Sequence, residues 1–348
     1  MRAITLNCPS CRAPLTPPAA GKRLVCSFCG AMVLLEGTSH AATFQEALER
    51  WNDPAAQGFA GAFELGGSSW ITGRLLGGSE SSEVYVGQLA RWPTGFGVVR
   101  ILHPGADGNR AARAWEMLNR IWTVGRRRDS GAFVERLPIP ISSGTVAGAH
   151  PAAGRRVVIT GWRPGLRLTL RETTALHAGV IPAPASVWVW RRLLETLEYL
   201  HRFKLAHGAV RPEHVLIEDG EHGVSLVGFG SADDLGKPHD PGPGAEHRRF
   251  ASDAVLDEGR LTVALDLQMS ARTVIEALGG DPATAAIPRQ VPEPFAELLR
   301  ETALASPAAL EAVSAFDLRQ RVGRVAAAVF GPPAFHPLLS RTGAPVRA

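Results

Sequence analysis

The sequence predicts an α+β protein built in successive parts: a small cysteine-bound ribbon, a β-rich region and a helical region. Three observations carry that expectation. All four cysteines fall between Cys8 and Cys29, in two Cys-x-x-Cys pairs. Residues 68–163 contain short runs in which apolar and polar residues alternate, the period of a half-buried strand. Residues 164–335 contain longer segments with apolar residues three and four apart, the period of an amphipathic helix.

Composition narrows the classes. At 348 residues, 45% of them hydrophobic, the chain can bury one large core or two modest ones. Lys and Arg exceed Asp and Glu by only four, a bias too small to argue for nucleic acid by itself. No basic flank precedes an apolar core near the N-terminus, and no apolar run approaches about 18 residues. Neither a signal peptide nor a membrane span is expected, and the expected compartment is the cytoplasm.

Residues 1–37 read as a zinc ribbon. Cys8-Pro9-Ser10-Cys11 and Cys26-Ser27-Phe28-Cys29-Gly30 are two knuckles separated by fourteen residues. Two thiolates spaced in this way converge on one side of a turn, and two such turns complete the tetrahedral sulfur shell that zinc prefers. Four protein ligands leave no open position, so Zn2+ bound by Cys8, Cys11, Cys26 and Cys29 is expected to be structural. The alternatives, two disulfides or a redox pair, are disfavoured by the absence of a secretion signal. Arg2, Arg12, Lys22 and Arg23 against Glu36 give the ribbon a surplus of three, but four thiolates on one zinc contribute minus two. With Phe28 as its one aromatic, the ribbon suits protein docking better than base stacking.

Residues 38–67 are expected to form a short helix, Thr43 to Trp51, and a tether marked by Asn52-Asp53-Pro54 and by Gly58, Gly61, Gly66 and Gly67. Trp51, Phe59 and Phe63 should hold it against its neighbour. Strands are expected over Ser69 to Leu76, Glu83 to Leu89, Gly97 to Leu102, Arg136 to Ser142 and Arg155 to Thr160, with one helix over Asn109 to Trp122. Gly161-Trp162-Arg163-Pro164-Gly165 interrupts this pattern. Beyond it, Val187 to His201 is a core helix, with Val187, Trp190, Leu193, Leu194, Leu197 and Leu200 near helical spacing. Short strands follow at Val215 to Ile217 and Val224 to Val227. Glycines and prolines exclude a regular element over Ser231 to Phe250. Helices are then expected over Asp266 to Leu278, Pro292 to Leu304, Pro307 to Phe316 and Leu318 to Phe330, with 336–348 as a tail.

The stretch Leu200 to Gly230 resembles the catalytic segment of protein kinases, whose signatures are a His-Arg-Asp loop, a Lys-Pro-Glu-Asn run and an Asp-Phe-Gly turn. His207, Pro212, Glu213, Phe229 and Gly230 match. Gly208 stands for the Arg, Ala209 for the catalytic Asp, His214 for the Asn and Gly228 for the metal-binding Asp. Upstream, Leu76-Gly77-Gly78-Ser79-Glu80-Ser81-Ser82-Glu83-Val84 resembles the family's glycine-rich loop, with Gly77 kept and Ser79 and Ser82 at the other glycine positions. Arg100 takes the place of the ATP-binding Lys, and Glu116 is the expected helix partner of that cation. Asp266 matches a buried Asp that holds the catalytic-loop backbone.

The resemblance covers roughly residues 68–335. It implies a bilobal fold, with a small β-rich lobe over 68–163, a hinge at Gly161 to Gly165 and a large helical lobe over 164–335. It also implies where chemistry is missing. Phosphoryl transfer uses Mg2+ on the β and γ phosphates and a carboxylate to take the hydroxyl proton. Ala209 takes no proton, imidazole at His214 is a poor ligand for a hard cation, and Gly228 has no side chain. The expectation is therefore a pseudokinase: a regulatory or scaffold module with a protein partner, able to hold ATP or ADP without magnesium through Gly77, Ser79, Ser82, Arg100 and Glu116.

Three other readings compete. In an atypical serine/threonine kinase, Asp233 or Asp234 would supply the missing metal ligand. In a nucleotide sensor, Arg100 would hold ATP without metal. In a nucleic-acid adaptor, the ribbon would act with Arg126-Arg127-Arg128, a run that more often marks an exposed loop. Nucleic acid and membrane are not expected partners. His201, His207, His214 and His222 lie on different elements, so no histidine metal cluster is expected. The segment 231–250 offers only Ser231 as a hydroxyl, which does not encourage regulation by phosphorylation there.

Overall fold

A computed structural model describes residues 13, 15, 23–25, 32–34, 61–79, 81–128, 133–163, 165–218, 220–239, 246–340 and 345–346. Near the N-terminus, β1 (Arg23–Val25) and β2 (Met32–Leu34) pair antiparallel, with Leu24 opposite Val33. The chain divides into two compact units, the first over 45–164 and the second over 165–348 together with 1–44.

The first unit is an antiparallel sheet of β3 (Ala62–Leu65), β4 (Ser68–Ser79), β5 (Ser82–Leu89), β6 (Trp92–Leu102), β7 (Pro140–Thr145) and β8 (Arg156–Gly161). Its order is β3-β4-β5-β6-β8-β7. The Glu64 and Ala147 amides each donate to the other's carbonyl at 3.1 Å, so the two ends of the sheet meet. Period-two alternation then turns one side chain of each pair inward. Phe63 and Leu65, Val99 and Ile101, and Val157 and Ile159 fill the interior around Trp70, Val146 and Ala152.

The structure corrects two expectations here. Ala62–Leu65, placed in the tether by the sequence, is a strand of the sheet, held by the burial of Phe63 and Leu65. The strand expected from Arg136 begins only at Pro140, because Val134–Arg136 closes a single 3-10 turn.

Helix α1 (Gly108–Arg128) packs on β7 and β8. Asp107 starts it, its Oδ1 accepting from the amides of Asn109 and Arg110 at 2.9 and 3.1 Å. Its buried residues are Ala111, Met117, Leu118, Ile121 and Trp122. The Trp122 indole donates to the Pro138 carbonyl at 2.8 Å.

The second unit opens with β9 (Leu166–Thr169) and α2 (Leu170–Leu176), joined by a capping box in which Thr169 and Glu172 satisfy each other's amides. Helix α3 (Ala183–Arg202) is its axis. The strands are β10 (Leu205–Ala206), β11 (Val215–Glu218), β12 (Val224–Leu226) and β13 (Asp233–Asp234). The helices α4 (Glu246–Phe250), α5 (Asp253–Leu256), α6 (Val263–Ala277), α7 (Glu293–Leu304), α8 (Pro307–Glu311) and α9 (Ala315–Phe330) follow. Helix α6 is buried nearly all round, the mark of a helix packed among others. It sits between α3 and α7, and the Trp190 indole donates to Ser270 Oγ at 3.0 Å.

Two further expectations change in this unit. The segment after Ser231 contains regular pieces, β13 and α4, despite its glycines and prolines. The expected tail beginning at 336 is docked: Leu338 and Leu339 are buried. The His336 amide donates to His222 Nε2 at 2.9 Å, and the Trp188 indole donates to the His336 carbonyl at 2.8 Å. The His222 ring lies stacked between Trp188 and Phe335. Burial drives the His222 pKa down to about 2, so the ring stays neutral.

Candidate functional site

Two clusters hold the residues singled out by sequence, one in each unit. In the β-rich unit, β4 and β5 meet in a tight hairpin with Ser79 opposite Ser82. Ser79 Oγ lies 3.2 Å from Ser81 Oγ and 3.3 Å from Ser82 Oγ, and the Ser81 amide donates to Ser79 Oγ. Arg100, opposite Val84 on β6, donates from Nε to Ser82 Oγ at 2.8 Å. Burial lowers the Arg100 pKa, and Arg110 adds to the shift. Among the described residues no carboxylate pairs with this guanidinium. Gly77 lies opposite Val84, with nothing near the position a Cβ would take.

The hairpin therefore brings Ser79, Ser82 and Arg100 together, with Gly77 beside them. It does not bring Glu116. That carboxylate is exposed on α1, because Met117, Leu118, Ile121 and Trp122 turn the apolar face of the helix to the sheet and leave 116 off it. The expected brace between Arg100 and Glu116 is replaced by the bond to Ser82.

In the helical unit, Asp266 near the start of α6 organises the loop after β10. Its Oδ2 accepts from the His207 amide and its Oδ1 from the Gly208 amide, both at 2.8 Å, and His201 Nε2 lies 3.0 Å from Oδ2. Burial alone would raise its pKa, but the bond from His201 leads the effects that hold it below the ordinary value. The loop is fixed as the resemblance implied for a buried Asp.

His207 donates from Nε2 to the Val227 carbonyl at 2.9 Å and accepts at Nδ1 from the Ala209 amide at 3.3 Å. Those partners assign a neutral ring with its proton on Nε2, and burial brings the pKa to about 4. Phe229 meets the ring edge-on at 4.8 Å. Gly208 has φ +68°, and a Cβ there would run into Leu261 and within 3.1 Å of the Ser231 carbonyl oxygen. The His239 ring also donates to the Gly208 carbonyl at 3.0 Å. Glycine at 208 is thus part of how this loop closes.

His214 packs against both Ala209 and Gly228. Ala209 is 3% exposed. His214 Nδ1 donates to the Ala209 carbonyl at 2.7 Å, and burial, followed by Arg211 and His207, takes its pKa to about 3. Gly228 sits at φ +81°, and a Cβ built on it would lie 2.4 Å from His214 Cδ2 and 2.6 Å from Nε2, closer than van der Waals contact with the imidazole allows. The histidine ring fills the space in which a side chain at 228 would begin. The sequence singles out His214 and Gly228 separately; that the His214 ring leaves no room for a side chain at 228 needed the structure.

Glu213 is held by Arg211 at 3.0 Å and Arg171 at 3.1 Å, and Arg171 also reaches Glu276 at 3.3 Å. Asp233 and Asp234 belong to the β13 pairing with β10, and the Asp234 amide donates to Asp233 Oδ1 at 2.7 Å. Among the described residues no group of three or more His, Cys, Asp or Glu is placed to hold a metal ion. Among them, too, no helix is long and apolar enough to cross a membrane. Cys8, Cys11, Cys26 and Cys29, like the expected helix Thr43 to Trp51, lie outside the described residues.

No protein-family model matches the sequence, and no curated protein matches it. Solved structures do match in three dimensions. One is the structure of vaccinia related kinase 3, with TM-score 0.59 and 14% identity over 88% of this chain and 98% of that one. Another is a Toxoplasma gondii specific rhoptry antigen kinase domain, with TM-score 0.55 and 15% identity over 83% and 93%. A third is a rhoptry kinase from Toxoplasma gondii, with TM-score 0.56 and 15% identity over 77% and 84%. At these identities the likeness concerns fold: the chain has a bilobal protein kinase-like fold, with an antiparallel sheet in its small lobe and a helical large lobe.

Proposed function

We propose that the chain is a pseudokinase, a catalytically inactive kinase-like module that serves as a regulatory scaffold for a protein partner. The observation that carries this reading is the His214 ring packed where a side chain at Gly228 would begin. Magnesium needs hard oxygen ligands in near-octahedral array. A neutral imidazole takes that space, and Ala209 offers no acceptor for the hydroxyl proton. The frame around them is tied by bonds from His207 and Gly208 to Asp266 and from Arg171 to Glu213. A zinc ribbon with ligands Cys8, Cys11, Cys26 and Cys29 completes the proposed molecule, and its thiolates suit the reducing cytoplasm. Metal analysis should find one zinc per chain, lost in Cys26→Ser.

A second reading, a magnesium-independent nucleotide sensor, draws on Arg100. A guanidinium taken partly out of water without a carboxylate is suited to an anion such as the phosphates of ATP or ADP. Thermal unfolding with ATP or ADP, each with and without magnesium, and a phosphate-transfer assay test both. The scaffold reading expects no transfer. A magnesium-independent rise in Tm that vanishes in Arg100→Ala would add nucleotide sensing, since a ligand of the folded state at about a hundred times its Kd stabilises by about 2.7 kcal/mol. Magnesium-dependent transfer lost in Asp233→Asn or Asp234→Asn would overturn the pseudokinase reading.

A further inference from the structure

We propose that the exposed face of α1 is a docking surface for the phosphate backbone of a nucleic-acid duplex. The chain's small overall surplus of positive charge conceals a concentration. Residues 61–163 hold thirteen arginines and seven acids, a surplus of six in a chain whose total surplus is four. Helix α1 alone holds Arg110, Arg113, Arg120, Arg126, Arg127 and Arg128 against Glu116, a surplus of five. Charge complementarity therefore points to a polyanion.

The geometry selects among polyanions. The apolar side of α1 is already occupied by β7 and β8, and its outward residues Asn109, Arg113, Glu116, Asn119, Arg120 and Thr123 are exposed. Arg113 and Arg120 are seven residues apart, and Arg127 follows one further heptad along the same helix. At 1.5 Å per residue these steps are about 10.5 Å each, one row along the helix. No aromatic or large aliphatic residue stands among the outward residues. Protein interfaces need such anchors at their centre, and single-stranded nucleic acids need aromatic platforms for their bases. A duplex backbone needs neither: it is bound by arginine and by amide and hydroxyl side chains.

Helix stability does not account for the start of the row. Arg110 and Arg113 lie in the first two turns, where the helix dipole disfavours cations. Arg113 reaches Asp107 at only 3.9 Å, and both side chains are more than half exposed, so that ion pair contributes little.

The test is fluorescence anisotropy of a labelled duplex of about 20 base pairs, as DNA and as RNA, titrated with the full chain from about 50 to 200 mM salt. The wild type should bind, with log Kobs falling linearly against log salt. The triple variant Arg113→Gln, Arg120→Gln, Arg127→Gln should bind at least tenfold more weakly at the lowest salt. Its slope should be shallower by about 2.7, at about 0.9 for each phosphate no longer neutralised. Arg289→Gln with Arg324→Gln, both exposed on the helical unit, should leave the slope unchanged. A matched melting curve for the triple variant keeps unfolding from imitating the loss. Absence of duplex binding at the lowest salt would overturn the proposal, as would an unchanged slope in the triple variant. So would binding to polyglutamate or to phosphatidylserine vesicles in preference to either duplex.

Discussion

The serine hairpin of the β-rich unit and the histidine cluster of the helical unit depart from kinase chemistry in different ways. At the hairpin the side chains are polar: Ser79 and Ser82 carry hydroxyls and Arg100 carries a charge, and these groups satisfy one another through side-chain bonds that a ligand can exchange. At the cluster the replacements take up space. His214 occupies the position of a side chain at 228, and Ala209 is closed over. Groups held by exchangeable bonds can turn to a ligand. A filled space admits nothing until what fills it is removed.

The sharpest way to break that comparison is Gly228→Asp, which restores the family residue alone. The carboxylate would enter the His214 ring on a backbone at φ +81°, and the combined strain, overpacking and buried charge should cost about 4–5 kcal/mol in urea unfolding. Adding His214→Asn removes the ring and should return about 2 kcal/mol, a coupling measurable by double-mutant cycle. Additive effects would mean that the two positions do not compete for one space.

Acid should affect the cluster more than the hairpin. His207, His214 and His222 have folded pKa values of about 4, 3 and 2, all below the ordinary 6.5. As pH falls through 6.5 the unfolded chain takes up protons before the folded one, so stability is complete above that value and declines below it. At just under about 2 kcal/mol per histidine, the loss between pH 7 and 5 should total about 5–6 kcal/mol. His214→Asn should flatten the decline by about a third, and a flat profile would mean that these rings are not held neutral by burial.

Smaller effects belong to the hairpin. Ser82→Ala leaves the Arg100 guanidinium without its acceptor and should cost about 2 kcal/mol. Ser79→Ala removes partly exposed bonds to the neighbouring Ser81 and Ser82, with water able to replace those to Ser81, and should stay within about 0.5 kcal/mol. Equal costs at the two serines would show that Arg100 does not depend on Ser82.

The long elements were legible because their periodicity is long. Val187 to His201 differs from Ala183–Arg202 only at its ends, and Pro292 to Leu304 from Glu293–Leu304 by one residue. Strand β3 was not, since four residues among glycines carry too few alternations to stand out, and Phe63 acquires its role only once the sheet closes. Glu116 was misassigned because a motif position specifies a turn of helix and not which side faces the sheet. The sequence singles out His214 through its motif position, but its contact with Gly228 joins residues fourteen apart, and no periodicity encodes that. His239 gave no local signal either: its bond to the Gly208 carbonyl depends on a loop folding back.

The clasp of the last segment on His222 has a consequence for synthesis. Trp188 on α3 and the loop at Gly220 emerge from the ribosome well before Phe335, His336, Leu338 and Leu339, yet they share hydrogen bonds and a ring stack with them. The helical lobe therefore completes its packing only when nearly the whole of it has been translated, and a nascent chain halted before Phe335 presents uncovered Trp188 and His222 faces to chaperones.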